Sequence, residues 1–341
     1  MRPDHRTAAV LALVIVVLLA GGTTTLLAPE AARAVDVTPS SSLVDLESVA
    51  LDMPPVAELD ATPDAVHLAG LRRPEPQAEP AVPVEPVPPA TPVSSSADTF
   101  AQQFPAHAAA TQVDGDPASF HWAVIIGVNA YQGRVGNTLG SVADALALRD
   151  ILLARGWRAD HVLVLTDAQA DHDGTVRALE WLARSTDERS KVVVSSSGHI
   201  RHSGGRTGLW PSDNRYLWAA DLGRMLGSIR AEKMWLSFQG CHAAGLSAPG
   251  VEGPGRVVTY SSPVTQKSFE DPETGHSLQG FYLFVEGIRD GWGDANGDGR
   301  VSVQEAHAFG APRAQIRSAG QQSPVLVDGL GRPFHLEVGA P

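Results

Sequence analysis

The chain has 341 residues, one cysteine, 25 prolines, 33 glycines and a formal net charge of −12. A single cysteine excludes an intramolecular disulfide framework and any zinc centre built on several thiolates. The acidic balance argues against a nucleic-acid partner, which needs a basic face to neutralise phosphates.

These totals conceal an asymmetry. All seven Trp and all four Tyr lie between Trp122 and Trp292, whereas 16 of the 25 Pro precede residue 119. Residues 29–118 hold three basic against 14 acidic residues, while residues 119–341 are nearly balanced at 21 against 23. The acidity therefore belongs to the first third of the chain, and the material for a core belongs to the rest.

Two arginines in residues 1–6 precede an uncharged stretch, 7–29, whose centre at 8–20 is thirteen apolar residues. Residues 1–34 read as a signal peptide, with a small-x-small cleavage site at Ala32-Arg33-Ala34. They read equally as an uncleaved membrane anchor, because the span continued to Ala28 is just long enough for a bilayer. Either reading exports the rest of the chain, predicts an extracellular or cell-surface location, and confines membrane contact to the N-terminal segment. Residues 35–118 are predicted to be a Pro-rich acidic linker. Pro83-Val84-Glu85-Pro86-Val87-Pro88-Pro89 favours extended polyproline geometry, and the acidic excess repels itself. A short helix over 97–107 is the linker's one candidate for a clasp on the domain.

Beyond residue 119, apolar runs alternate with amphipathic segments. Strands are predicted at 122–128, 162–166, 191–195, 234–238, 256–261 and 324–327. Helices are predicted at 142–153, at 176–182 with Asp173 or Thr175 as cap, and at 222–229. This order implies an α/β fold: a mostly parallel sheet of about six strands with helices on both faces. Such sheets place their chemistry in loops at the carboxyl ends of the strands. The third strand runs into Ser195-Ser196-Ser197-Gly198-His199, and the fourth into Phe238-Gln239-Gly240-Cys241-His242. If these strands are neighbours, the cysteine and a histidine meet above the sheet edge. A thiolate is a strong nucleophile, and a nearby imidazole lowers the thiol pKa and later protonates a leaving amine. The blander alternatives are a small core hydrophobe and a structural histidine. His199, His202, Cys241 and His242 also have the ligand types of zinc, although adjacent residues leaving a strand point apart.

These segments resemble the caspase-like cysteine peptidases, the grouping that includes metacaspases, legumains and gingipains, over most of residues 121–329. Ala123-Val124-Ile125-Ile126-Gly127-Val128-Asn129 is similar to the family's first strand. Gly140-Ser141-Val142-Ala143-Asp144-Ala145 is similar to the start of the following helix. Ser197-Gly198-His199 matches the histidine loop, Gln239-Gly240-Cys241 falls at the nucleophile, and Gln322-Ser323-Pro324-Val325 resembles the segment before the last strand. The resemblance implies a three-layer αβα caspase-like sandwich over 119–341, acting on a peptide or protein substrate. It implies Cys241 as nucleophile, His199 as general acid/base, and the backbone N–H groups of Ile200 and Cys241 as oxyanion donors. Asp144, Ser197 and Gln239 would line the substrate pocket. Two residues depart from the pattern. Ile200 stands where the family usually has glycine, and a left-handed backbone would disfavour it. Gln239 replaces the aspartate with which metacaspases bind Arg or Lys.

A second motif is independent of the first. Residues 294–305 fit the twelve-residue EF-hand loop. Asp294, Asn296 and Asp298 supply side-chain oxygens, Arg300 its carbonyl, Ser302 a direct or water-bridged ligand, and Glu305 a carboxylate. Helices at 278–289 and 303–309 would flank the loop. The expected ion is calcium in a structural role, because no partner hand or Met-rich groove accompanies the loop; the plain alternative is a solvated acidic turn. These features are compatible with two functions: an exported cysteine endopeptidase braced by calcium, or a catalytically inactive calcium-binding caspase-like module acting in binding.

Overall fold

The computed structural model describes residues 57–58 and 96–339. The signal or anchor at 1–34 and most of the linker lie outside the described residues. Six strands form the central sheet: β2 (His121–Gly127), β3 (Val162–Thr166), β4 (Lys191–Ser197), β8 (Lys233–Gln239), β9 (Arg256–Tyr260) and β12 (Val325–Asp328). Their spatial order is β12-β9-β8-β4-β2-β3. Every neighbouring pair is parallel except β12 with β9. Strands β2 and β8 are buried almost throughout, which explains their unbroken apolar runs.

Helices cover both faces. On one side, α4 (His172–Ser185) and α5 (Ala219–Ser228) contribute Leu179, Leu182, Leu222 and Leu226 to a core around Trp122, Leu236 and Phe238. On the other, α3 (Ser141–Ala154), a π-helix (Gly280–Arg289) and α6 (Val303–Arg317) enclose Ile125, Trp235, Phe284 and Phe334. Burying each large apolar side chain contributes roughly 1.5–3 kcal/mol. Helix α4 begins ahead of the predicted caps: the Asp171 carboxylate accepts the Gly174 N–H, which displaces Asp173 and Thr175 from that role. Within the first core the His161 ring lies face to face on the Trp122 indole, with centroids 3.7 Å apart.

Residues 96–118, which belong to the linker by composition, pack against this body. Helix α1 (Ser96–Gln103) buries Phe100 on Trp181, and α2 (Pro105–Ala108) follows it. The Trp181 indole N–H donates to the His107 carbonyl, and His107 Nε2 meets the Val162 carbonyl at the β3 edge. Two small sheets lay outside the sequence expectation. Strands β5 (Ile200–Ser203), β6 (Arg206–Leu209) and β7 (Leu217–Trp218) form an antiparallel flap beyond β4. Strands β10 (Phe269–Asp271) and β11 (His276–Ser277) form the other sheet, whose outer strand β1 (Ala57–Glu58) pairs antiparallel with β10. Among the described residues, no helix is long and apolar enough to cross a membrane.

Candidate active site

Strands β4 and β8 are adjacent and parallel, with Ser197 in register with Gln239. The ladder runs one residue further, the Gly198 N–H donating to the Gln239 carbonyl at 3.0 Å. His199 and Cys241 therefore each stand two residues beyond one register pair, on strands spaced about 4.8 Å apart. The approach leaves no room for a side chain at residue 240. A Cβ on Gly240 would collide with the Gly198 carbonyl oxygen and lie 2.8 Å from Ile200 Cγ1.

His199 is held on three sides. Its backbone N–H donates to the Tyr131 hydroxyl at 2.7 Å, its carbonyl accepts the Trp210 N–H at 3.2 Å, and its Nε2 lies 2.8 Å from the Gly136 carbonyl. A carbonyl only accepts, so Nε2 is the donor in this contact, and in the neutral tautomer that leaves the lone pair on Nδ1. Burial pushes the Tyr131 hydroxyl far above its ordinary pKa, keeping it a neutral partner. Neither Tyr131 nor Trp210 carries a local sequence signal for this role. Ile200 opens β5 without a positive φ; the unusual backbone falls at Gly198 (φ 152) and at His242 (φ 61). The strain expected at Ile200 is thus absent, because the turn is made by the glycine before the histidine.

Cys241 is fully buried. Its Sγ accepts the Ser268 N–H at 3.3 Å and lies 3.7 Å from the Ser268 carbonyl. The preceding peptide is fixed from below: the Gly240 carbonyl accepts the hydroxyls of Ser261 and Ser268, both at 2.8 Å. In a trans peptide the N–H points opposite to the C=O, so the Cys241 N–H faces away from this serine cluster. That direction suits an oxyanion donor.

The three residues expected to line the substrate pocket separate into two environments. Asp144 and Ser197 meet, the serine hydroxyl donating to Asp144 Oδ2 at 2.8 Å. The same carboxylate accepts the Ser277 hydroxyl at 2.5 Å and the Ser277 N–H at 3.2 Å, and His276 Nδ1 lies 2.9 Å away. This chain therefore supplies its own basic side chain to Asp144. Gln239 turns elsewhere, its amide donating to Ser237 at 2.7 Å and its carbonyl oxygen facing Ser195. Close by, the buried Glu270 carboxylate accepts the N–H groups of Leu139 and Gly140 at 2.6 and 2.7 Å. Burial, reinforced by the neighbouring Asp144 charge, raises its pKa to about 7.

The loop at 294–305 follows the π-helix and runs into the first turn of α6. Asp294 accepts backbone N–H groups of Gly297, Asp298 and Gly299, while Asn296 and Asp298 cap those of Asp298 and Arg300. Glu305 accepts the N–H and hydroxyl of Ser302, closing a capping box at the start of α6. Among the described residues no three His, Cys, Asp or Glu side chains converge on a metal position, at this loop or at His202 and His242. Those two imidazoles stack at 5.1 Å, with Nδ1 near the Thr207 hydroxyl and the Val264 carbonyl respectively.

The family model of the caspase domain matches residues 121–315. The metacaspase-1 of Mycosarcoma maydis is 31% identical over 83 residues, covering 23% of this chain. The match spans only 20% of that protein's length. Among solved structures, a protein from Geobacter sulfurreducens aligns with 61% of this chain and 92% of its own, at 15% identity and a TM-score of 0.49.

Proposed function

The chain belongs to the caspase-domain family of cysteine-type peptidases, and on that premise we propose that it is an exported endopeptidase working through a Cys241–His199 dyad. The observation that carries this reading is the Ser197↔Gln239 register, which delivers both residues to one end of two adjacent strands. In the proposed reaction, His199 Nδ1 takes the thiol proton and the thiolate attacks the carbonyl carbon of a peptide bond. The Cys241 and Ile200 N–H groups receive the developing oxyanion. Collapse breaks the C–N bond, His199 returns its proton to the leaving amine, and water hydrolyses the acyl-enzyme.

We further propose that residues 294–305 bind calcium in a structural role. The arrangement of Asp294, Asn296 and Asp298 around their own loop amides supports this, with positive φ at Gly297 and Gly299 permitting the turn. The competing function, an inactive binding module, draws on one observation: Cys241 is covered by the segment that carries Ser268.

Cleavage of a peptide library, varied at the residue before the scissile bond, separates the two. The full chain would be compared with Cys241→Ala and His199→Ala under reducing conditions in millimolar calcium. Turnover abolished by both substitutions supports the dyad. No turnover, with Cys241 alkylated no faster than a free model thiol, leaves the binding module. Calorimetric titration with calcium is expected to give one site per chain, lost in Asp294→Ala. Protease accessibility of the domain on intact cells tests export.

A further inference from the structure

The opposite end of the same sheet carries a second cluster of charge. His121, Lys191 and Lys233 are mutual register partners at the amino ends of β2, β4 and β8, so their side chains leave the same face side by side. With Arg189 they line a cavity of about 320 Å³.

Lys191 lacks what a buried ammonium group requires, and the half-buried Lys233 stands beside it. Lys191 is only 5% exposed, and its one described hydrogen bond is to the backbone carbonyl of Glu337 at 3.0 Å. The Glu337 carboxylate is paired with Arg155 and faces Arg300. The acids on the cavity wall are engaged as well, Asp114 with Arg189 at 2.8 Å and Glu232 with Arg332 at 2.6 Å. Among the described residues, neither lysine has a carboxylate within ion-pairing distance. Burial, with the repulsion of Lys233, lowers the Lys191 pKa to about 8, and burial lowers Lys233 in the same direction. Burial also lowers the His121 pKa, to about 4, so that ring is neutral at physiological pH and adds no competing charge.

We propose that this cavity binds a multivalent oxyanion of the phosphate class, held between Lys191 and Lys233. A monovalent carboxylate would leave one ammonium unneutralised, whereas a phosphoryl group offers several oxygens to donors on adjacent strands. The site is distinct from the dyad and independent of whether the dyad is active. It joins the starts of the two strands whose far ends carry His199 and Cys241.

The test is calorimetric titration of the full chain at fixed ionic strength with pyrophosphate, inorganic phosphate and acetate. Saturable one-site binding is expected for pyrophosphate, weaker binding for phosphate and none for acetate. Lys233→Met is expected to weaken pyrophosphate about tenfold or more, and Lys233→Arg to restore most of it. Lys191→Met serves as the second variant. If Lys191→Met proves misfolded by circular dichroism, the Lys233 pair still decides the matter. Equal affinity in wild type and Lys233→Met, equal binding of acetate, or no saturable heat with pyrophosphate would overturn the proposal.

Discussion

The Tyr131 hydroxyl accepts the backbone N–H of His199 at 2.7 Å and lies 2.5 Å from where a Gly198 side chain would begin. One phenol thus sets the height of the histidine loop above the sheet. Tyr131→Phe leaves a buried N–H without its acceptor, at a cost of about 1–3 kcal/mol. Chemical denaturation is expected to register that loss. If the dyad turns over peptide, kcat should fall while KM stays within about twofold, the pattern of a displaced acid/base rather than a lost substrate contact.

His276 occupies the one strong anion of the expected substrate pocket, at 2.9 Å from Asp144. Removing it with His276→Ala leaves Oδ1 with only the Ser277 N–H, while the Ser197 and Ser277 hydroxyls hold Oδ2. The expected outcome is an increase of about tenfold in kcat/KM for Arg or Lys before the scissile bond, relative to an uncharged residue, equivalent to about 1.4 kcal/mol. An unchanged ratio would make Asp144 a framework residue and move the specificity pocket elsewhere.

Glu270 gives stability a definite pH sign. Its folded pKa of about 7 exceeds the ordinary 4.5, so between those values the native state binds a proton that the unfolded chain does not. Its stabilisation is complete below about 4.5 and lost as pH rises through 7, worth roughly 3 kcal/mol in all. Glu270→Gln is expected to flatten this part of the denaturation profile, measured by urea unfolding from pH 5 to 8.

Two histidines, the buried His121 and the partly buried His307, act in the opposite direction. Burial lowers His121 and His307 to about 4 from the ordinary 6.5. Unfolded histidine gains its proton as pH falls through 6.5, so each group loses roughly 1.4 kcal/mol of stability per pH unit from there down to about 4. Stability should therefore peak near neutrality and fall on the acid side. His307→Gln is expected to shift the acid unfolding midpoint downward.

The six-strand sheet was legible because strands buried on both faces announce themselves as apolar runs, and Trp122 to Val128 is one such run. The placement of His199 and Cys241 just beyond the same end of two adjacent strands was legible as soon as β4 and β8 were taken as neighbours. The flap β5–β7 was not. Its strands are two to four residues long and carry Arg201, His202 and Arg206, so no periodicity marks them. Tyr131, His276 and the carboxylate contacts of Glu270 were not legible for a related reason. Each reaches its partner across a long sequence separation, from loops or strands of three residues or fewer, where only the assembled fold creates the contact. The helix expected over 97–107 forms as α1 and α2, and only its anchoring pair, Phe100 on Trp181, is concealed by a Pro-rich acidic composition.

The Trp122–His161 stack has an optical consequence. An indole sealed in a dry core emits at short wavelength, and a ring lying 3.7 Å over it is positioned to quench that emission by electron transfer once it becomes an imidazolium. Trp292, 63% exposed, emits instead from solvent at longer wavelength. Among seven tryptophans, Trp292 thus reports the entrance to the 294–305 loop at the red edge of the emission, while Trp122 adds its pH-dependent signal to that of the other buried indoles, Trp157, Trp181, Trp210 and Trp235.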